Sequence, residues 1–291
     1  MLTEQKNPNT LNIDQLSTAE IAARINAEDH TVADAVARAM PQIVAAIDAI
    51  YERMNTGGRL FYVGAGTSGR LGILDAVECV PTFSTPPELV QGIMAGGIPA
   101  LVNSVEGVED DPEAGANELK SRGLTGGDVV MGIAASGRTP FVIGALNYAR
   151  SVGARTIAIA CNDPAPVLDA AEIAIPLITG AEVIAGSTRM KAGTAQKMTI
   201  NLISTAVMIK LGKVYGNLMV DVQVKNEKLR DRARRIVAEI GNVDMERSTV
   251  LLNESRNEVK TAIVMARRGV NADEARELLK AAGGVLRRVI G

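Results

Sequence analysis

Between Arg59 and Pro176 the chain alternates short, continuously apolar runs with segments of helical periodicity. The runs Leu60 to Val63, Leu89 to Met94, Val129 to Ile133, Thr156 to Ala160 and Ile173 to Pro176 lack the in-out alternation of a half-exposed strand, so they predict strands buried on both faces. Strands of that kind, separated by helices, predict an α/β unit: a parallel β-sheet sandwiched by helices. Ahead of it, residues 1–16 read as an irregular arm, and Ser17-Thr18-Ala19-Glu20 has capping-box spacing that starts a helix. Helical periodicity then runs from Val32 to Met54, interrupted at Pro41, and stops at Gly57-Gly58. Downstream, Thr194 to Lys210 predicts a strongly apolar helix. After a densely charged stretch at Asn226 to Arg235 only helical patterns remain, among them Asn257 to Arg268 and Ala272 to Ala282, the latter capped by Asn271. The expected organisation is an N-terminal helical arm over 1–49, an α/β domain over 50–213 and a small C-terminal helical domain over 226–291.

Composition narrows the classes of partner. Aromatic residues make up 2% of the 291, so the core must be aliphatic and platforms for stacking nucleic-acid bases are nearly missing. A formal net charge of -2 gives no field that would attract a phosphate backbone, and nucleic acid is excluded as the expected partner. The basic cluster Arg230, Arg232, Arg234 and Arg235 is interspersed with Asp231 and Glu239 and reads as a solvated helix face. With Cys79, Cys161 and His30 as the only residues of their types, neither a disulfide framework nor a Cys/His metal site is expected. A polar start, Met1 to Asn12, and the lack of any run near ~20 apolar residues point to a cytoplasmic protein with no membrane partner.

Candidate chemistry sits in three Gly/Ser/Thr loops. In Gly64-Ala65-Gly66-Thr67-Ser68-Gly69-Arg70 the glycines let the backbone approach a ligand, while a helix opening near Ser68 offers unpaired N–H groups. Ser136-Gly137-Arg138-Thr139 repeats that logic, and a third loop follows at Gly186-Ser187-Thr188-Arg189-Met190-Lys191. The first loop satisfies G-x-G-x-x-G, but the strand after it ends in Ala95-Gly96-Gly97 instead of the ribose-binding acid a dinucleotide site needs. Adjacent hydroxyls suit a terminal phosphomonoester better than a pyrophosphate. Thr67, Ser68, Ser136 and Thr139, with Ser187 and Lys191, are the candidate substrate-binding residues. Simple turning at strand-helix junctions accounts for any one loop alone, but less well for all three.

The segment Gly180 to Lys197, with Gly186-Ser187-Thr188-Arg189-Met190-Lys191 at its centre, resembles the signature shared by N-acetylmuramic acid 6-phosphate etherases and the glucokinase regulatory protein. Gly64 to Arg70, Asp75 to Cys79, Glu106 to Asp110 and Ser136 to Pro140 also resemble the etherase pattern, although Val77 and Val80 stand where that pattern has Ser and Pro. The resemblance implies a sugar-isomerase (SIS) type domain, a homodimer with active sites near the subunit interface, and a C-terminal unit similar to ubiquitin-associated (UBA-like) folds. It further implies a sugar-phosphate substrate and cleavage of its D-lactyl ether, with Glu78 as the acid at the ether oxygen and Glu109 as the base at C2. Such chemistry needs no cofactor, because ring opening exposes an aldehyde that acidifies the C2 proton and makes elimination possible. Two rivals remain open at this stage: a non-catalytic sugar-phosphate sensor and a phosphosugar isomerase.

Overall fold

The computed structural model describes Met1 to Gly291 except Gln223 and Lys225. The chain divides into two compact units, Met1–Val77 with Pro87–Ser204, and Glu78–Pro86 with Thr205–Gly291.

The first unit opens with three 3₁₀ turns and the helices α1 (Thr18–Asp29), α2 (Thr31–Arg38) and α3 (Met40–Met54). Ser17 and Glu20 form the reciprocal capping box that the spacing predicts. Strand β1 (Leu60–Gly64) leads into α4 (Gly66–Phe83), followed by β2 (Val90–Met94), α5 (Gly97–Val102), α6 (Pro112–Ser121), β3 (Val129–Ile133), α7 (Pro140–Ser151), β4 (Arg155–Ala160), α8 (Pro166–Asp169), β5 (Ile173–Pro176) and α9 (Lys191–Lys210). All five strands are parallel, in the order β2-β1-β3-β4-β5, and each coincides with one of the five apolar runs. Every residue of β1 and β3 is buried, which is why those sequences carry no alternation. On one face Phe61, Val63 and Val130 pack with Leu119, Phe141, Val142 and Leu146 of α6 and α7. On the other, the Tyr62 hydroxyl donates to Asp75 of α4 at 2.9 Å, and Ser204 of α9 donates to the same carboxylate at 3.1 Å. Burial raises the Asp75 carboxyl above its usual pKa, against the lowering pull of these donors.

Helix α4 runs through Pro81 to Phe83. Proline removes only one N–H of the helical ladder, that facing the Val77 carbonyl, and the rest of the turn persists.

Helices α6 and α7 meet through glycines. A Cβ on Gly144 would lie 2.0 Å from the Pro112 carbonyl oxygen, and one on Gly115 would lie 2.0 Å from that of Phe141. Mid-helix glycine costs about 1 kcal/mol against alanine, so close backbone approach is the compensation. Gly144→Ala is therefore expected to destabilise the chain by about 1–3 kcal/mol through overpacking, read as a lower urea midpoint. An unchanged midpoint would show that the helices can separate without cost.

In the second unit the short hairpin β6 (Val214–Tyr215) and β7 (Leu218–Met219) precedes α10 (Glu227–Gly241), α11 (Met245–Glu254), α12 (Val259–Arg268), α13 (Ala272–Ala281) and α14 (Leu286–Ile290). Ile236, Val237, Leu251, Ile263, Leu279 and Leu286 form their core. The Asn271 capping box is present, and α12 starts at Val259 because Asn257 sits in the left-handed region at φ 66°. The hairpin is not foreseen, since two-residue strands are too short to carry a period. Among the described residues no helix is long and apolar enough to cross a membrane.

Candidate active site

The strand order places β1 and β3 side by side while their connections leave in opposite directions, so the crevice at their carboxyl ends is a topological switch point. A cavity of about 430 Å³ opens there. Its walls include Thr67 and Ser68 after β1, Ser136 and Thr139 after β3, Ser187, Thr188 and Arg189 before α9, and Glu106 and Glu109 before α6. Five of the six expected substrate-binding residues, Thr67, Ser68, Ser136, Thr139 and Ser187, thus share one cavity with Glu109.

The three loops are not equivalent as anion sites. At the start of α4 the amides of Gly66, Thr67 and Ser68 have no carbonyl one turn earlier within the helix to bond, so they remain available to a ligand. The tight approach needs glycine: a Cβ on Gly64 would lie 2.6 Å from the Gly69 nitrogen. At α7 Pro140 has no N–H, and the Phe141 amide already donates to the Glu109 carbonyl at 3.0 Å. That loop therefore presents hydroxyls, and the Phe141 bond ties the Glu109 turn to the helix behind it. At α9 the first amides are taken: Lys191 and Ala192 N–H donate to the Glu182 carboxylate, each at 2.9 Å. Glu182 caps this helix from the preceding loop, a role the sequence reading did not assign.

Ser68 is buried and its hydroxyl donates to Gln196 Oε1 at 2.9 Å. Gln196, within the signature segment, is a fully buried polar side chain on α9. Arg70 also lines the cavity, but its guanidinium is committed to the carbonyls of Ala100, Leu101 and Asn103, which anchors the end of α5 ahead of the acidic turn.

Lys191 is not among the lining residues. Its ammonium is buried and lies 2.6 Å from Glu28 Oε2. Glu78 is exposed on α4 and does not line the cavity either. Cys161 is fully buried; burial, and then the nearby Glu182 charge, push its thiol up to about 12, which removes it as a nucleophile. Among the described residues no group of three or more His, Cys, Asp or Glu side chains could hold a metal ion.

A five-stranded parallel sheet with a hydroxyl-lined cavity at its switch point is the arrangement of a SIS-domain protein. Residues 42–150 match the model of the glucokinase regulatory protein N-terminal SIS domain, and residues 114–206 match the model of the SIS domain. The solved phosphoheptose isomerase from Francisella tularensis superposes with a TM-score of 0.51 at 17% identity, covering 67% of this chain and 100% of that one, a likeness of fold alone. The chain is 52% identical to the N-acetylmuramic acid 6-phosphate etherase of Pectobacterium atrosepticum over 100% of its own length and 96% of the relative's. It is 51% identical to the etherase of Brucella anthropi over 100% of its own length and 94% of that chain. The chain belongs to the N-acetylmuramic acid 6-phosphate etherases, a family of carbon–oxygen lyases.

Proposed function

We propose that the cavity binds N-acetylmuramic acid 6-phosphate and that Glu109 and Glu78 cleave its D-lactyl ether, giving N-acetylglucosamine 6-phosphate and D-lactate. The observation that carries this reading is the meeting of seven hydroxyl side chains, free α4 amides and Glu109 in one cavity at the switch point. The phosphate rests on the α4 amides, that of Ser68 among them, and on the Thr67, Ser136 and Thr139 hydroxyls, with Ser187 facing the sugar. In the open-chain sugar the Glu109 carboxylate removes the C2 proton, made acidic by the C1 aldehyde. The Glu78 carboxyl protonates the departing lactate oxygen, leaving a carbon-carbon double bond between C2 and C3. Water then adds at C3 while a proton returns to C2, restoring both glutamates.

Glu78 lies one helical turn after Leu74 and directly follows Val77 on α4, and these apolar side chains are 50% and 60% exposed. An apolar exposed face that carries the second carboxyl supports a homodimer in which a partner covers α4 and the active sites lie near the subunit interface. Cys79 and Cys161 as buried free thiols fit the reducing cytoplasm, where cell-wall sugar phosphates are recycled.

The test is direct. Purified protein mixed with N-acetylmuramic acid 6-phosphate should release one D-lactate per N-acetylglucosamine 6-phosphate formed. Tight binding with no lactate would turn the reading toward a sensor, and formation of a ketose phosphate would turn it toward an isomerase.

A further inference from the structure

Residues 1–16 contain no α-helix, and the residues they bury, Thr3, Asn7 and Thr10, are all polar, so the arm is pinned by polar contacts to the loops that form the cavity. Thr3 is fully buried and Asn162, just after β4, is 3% exposed. The Thr3 N–H donates to Asn162 Oδ1 at 3.3 Å, and Asn162 Nδ2 donates back to Thr3 Oγ1 at 3.1 Å. The same Nδ2 group reaches the carbonyls of Ala135 at 3.0 Å and Ser136 at 3.4 Å. On its other side the Thr3 carbonyl accepts from the Gly186 N–H at 2.9 Å. One residue of the arm thus joins two separate walls of the cavity, the Ala135-Ser136 loop and the loop from Gly186 to Arg189.

Further along, the Thr10 hydroxyl donates to the Val183 carbonyl at 2.8 Å. Asn7 Nδ2 reaches both the Ala181 carbonyl at 3.2 Å and Glu28 at 2.8 Å. Buried polar networks that are satisfied add little net stability for their size, because every bond replaces one to water. They fix geometry instead. A chain that needed the arm only for stability would more economically bury apolar side chains under it.

We propose that the N-terminal arm is part of the sugar-phosphate site, with Thr3 and Asn162 as positioning residues that hold the Ser136 and Ser187 walls at the separation the substrate requires. The inference rests on the cavity being the sugar-phosphate site and not on turnover. Without the tie each loop keeps its own anchors but loses its register with the other, so the loss falls on binding more than on the chemical step.

The experiment compares Asn162→Ala, which removes the side chain that ties Thr3 to the Ala135 and Ser136 carbonyls, with a deletion that removes Thr3 itself. Calorimetric Kd for N-acetylglucosamine 6-phosphate is measured alongside KM and kcat for lactate release. Asn162→Ala should raise Kd and KM together by about ten-fold with kcat within about two-fold of wild type. Deletion of residues 1–6, which removes no buried apolar side chain, should raise Kd at least as much. Wild-type Kd and KM in Asn162→Ala or in the deletion, whatever the melting temperature, would overturn the proposal. A wild-type chain that binds the sugar phosphate without releasing lactate would sink the etherase reading while leaving the Kd comparison fully informative.

Discussion

Glu109→Gln is expected to lower kcat by about 10²–10⁴-fold with little change in KM. The carboxamide keeps the size and hydrogen-bonding reach of the carboxylate but cannot accept a proton from carbon. Because the Glu109 backbone is fixed by the Phe141 N–H, the substitution leaves the turn in place, and the loss reports chemistry and not displacement. Glu78→Gln should lose a comparable factor for a different reason, since it can no longer hand a proton to the leaving oxygen. The two variants separate in D₂O. If Glu109 is the base at C2, Glu78→Gln still exchanges the C2 proton of the substrate without releasing lactate, whereas Glu109→Gln does neither. Exchange retained in Glu109→Gln would move the base elsewhere, and full turnover in both variants would end the two-carboxyl mechanism.

The strands were legible because burial on both faces leaves unbroken apolar runs, and a sheet strand needs nothing beyond its own sequence to show that. The α4 and α7 loops were legible too, since glycine and hydroxyl residues at a strand-helix junction have a local conformational meaning. Glu109 and Glu78 were readable only through family resemblance; an acidic turn and an exposed helical glutamate look like ordinary surface. The groups that arrange the site were hidden for another reason. Thr3 and Asn162 are 159 residues apart, Glu28 and Lys191 163, and no periodicity links such pairs before the chain has closed on itself. Gly115 and Gly144 did carry a signal, since glycine inside a helical pattern asks for a packing reason. Lys191 illustrates the converse: as a cation in a hydroxyl loop it reads as a phosphate ligand, and its partner in the fold is Glu28 of the first helix.

Lys191→Met is expected to destabilise the chain by about 3–5 kcal/mol at neutral pH, the usual consequence of stranding one member of a buried ion pair. Both side chains are almost wholly shielded, 4% and 9% exposed, so water cannot replace the lost ammonium. Asn7 and Asn9 continue to donate to the Glu28 carboxylate, each at 2.8 Å, which favours the lower end of that range. Burial pushes the Glu28 pKa up, but the Lys191, Asn9 and Asn7 hydrogen bonds outweigh it and hold the carboxyl below its ordinary value. A carboxyl depressed in the fold contributes stability that is fully present above its unfolded pKa, about 4.3, and is lost as pH falls through the folded value. In Lys191→Met the stranded carboxylate gains from protonation, so the gap in urea stability between wild type and variant should be widest near about pH 7 and narrow below about pH 4. The double variant Glu28→Leu/Lys191→Met removes both charges and should recover most of the loss. A gap that stayed constant across that pH range would mean that the Lys191 stem, and not its charge, stabilises the junction of arm and signature loop.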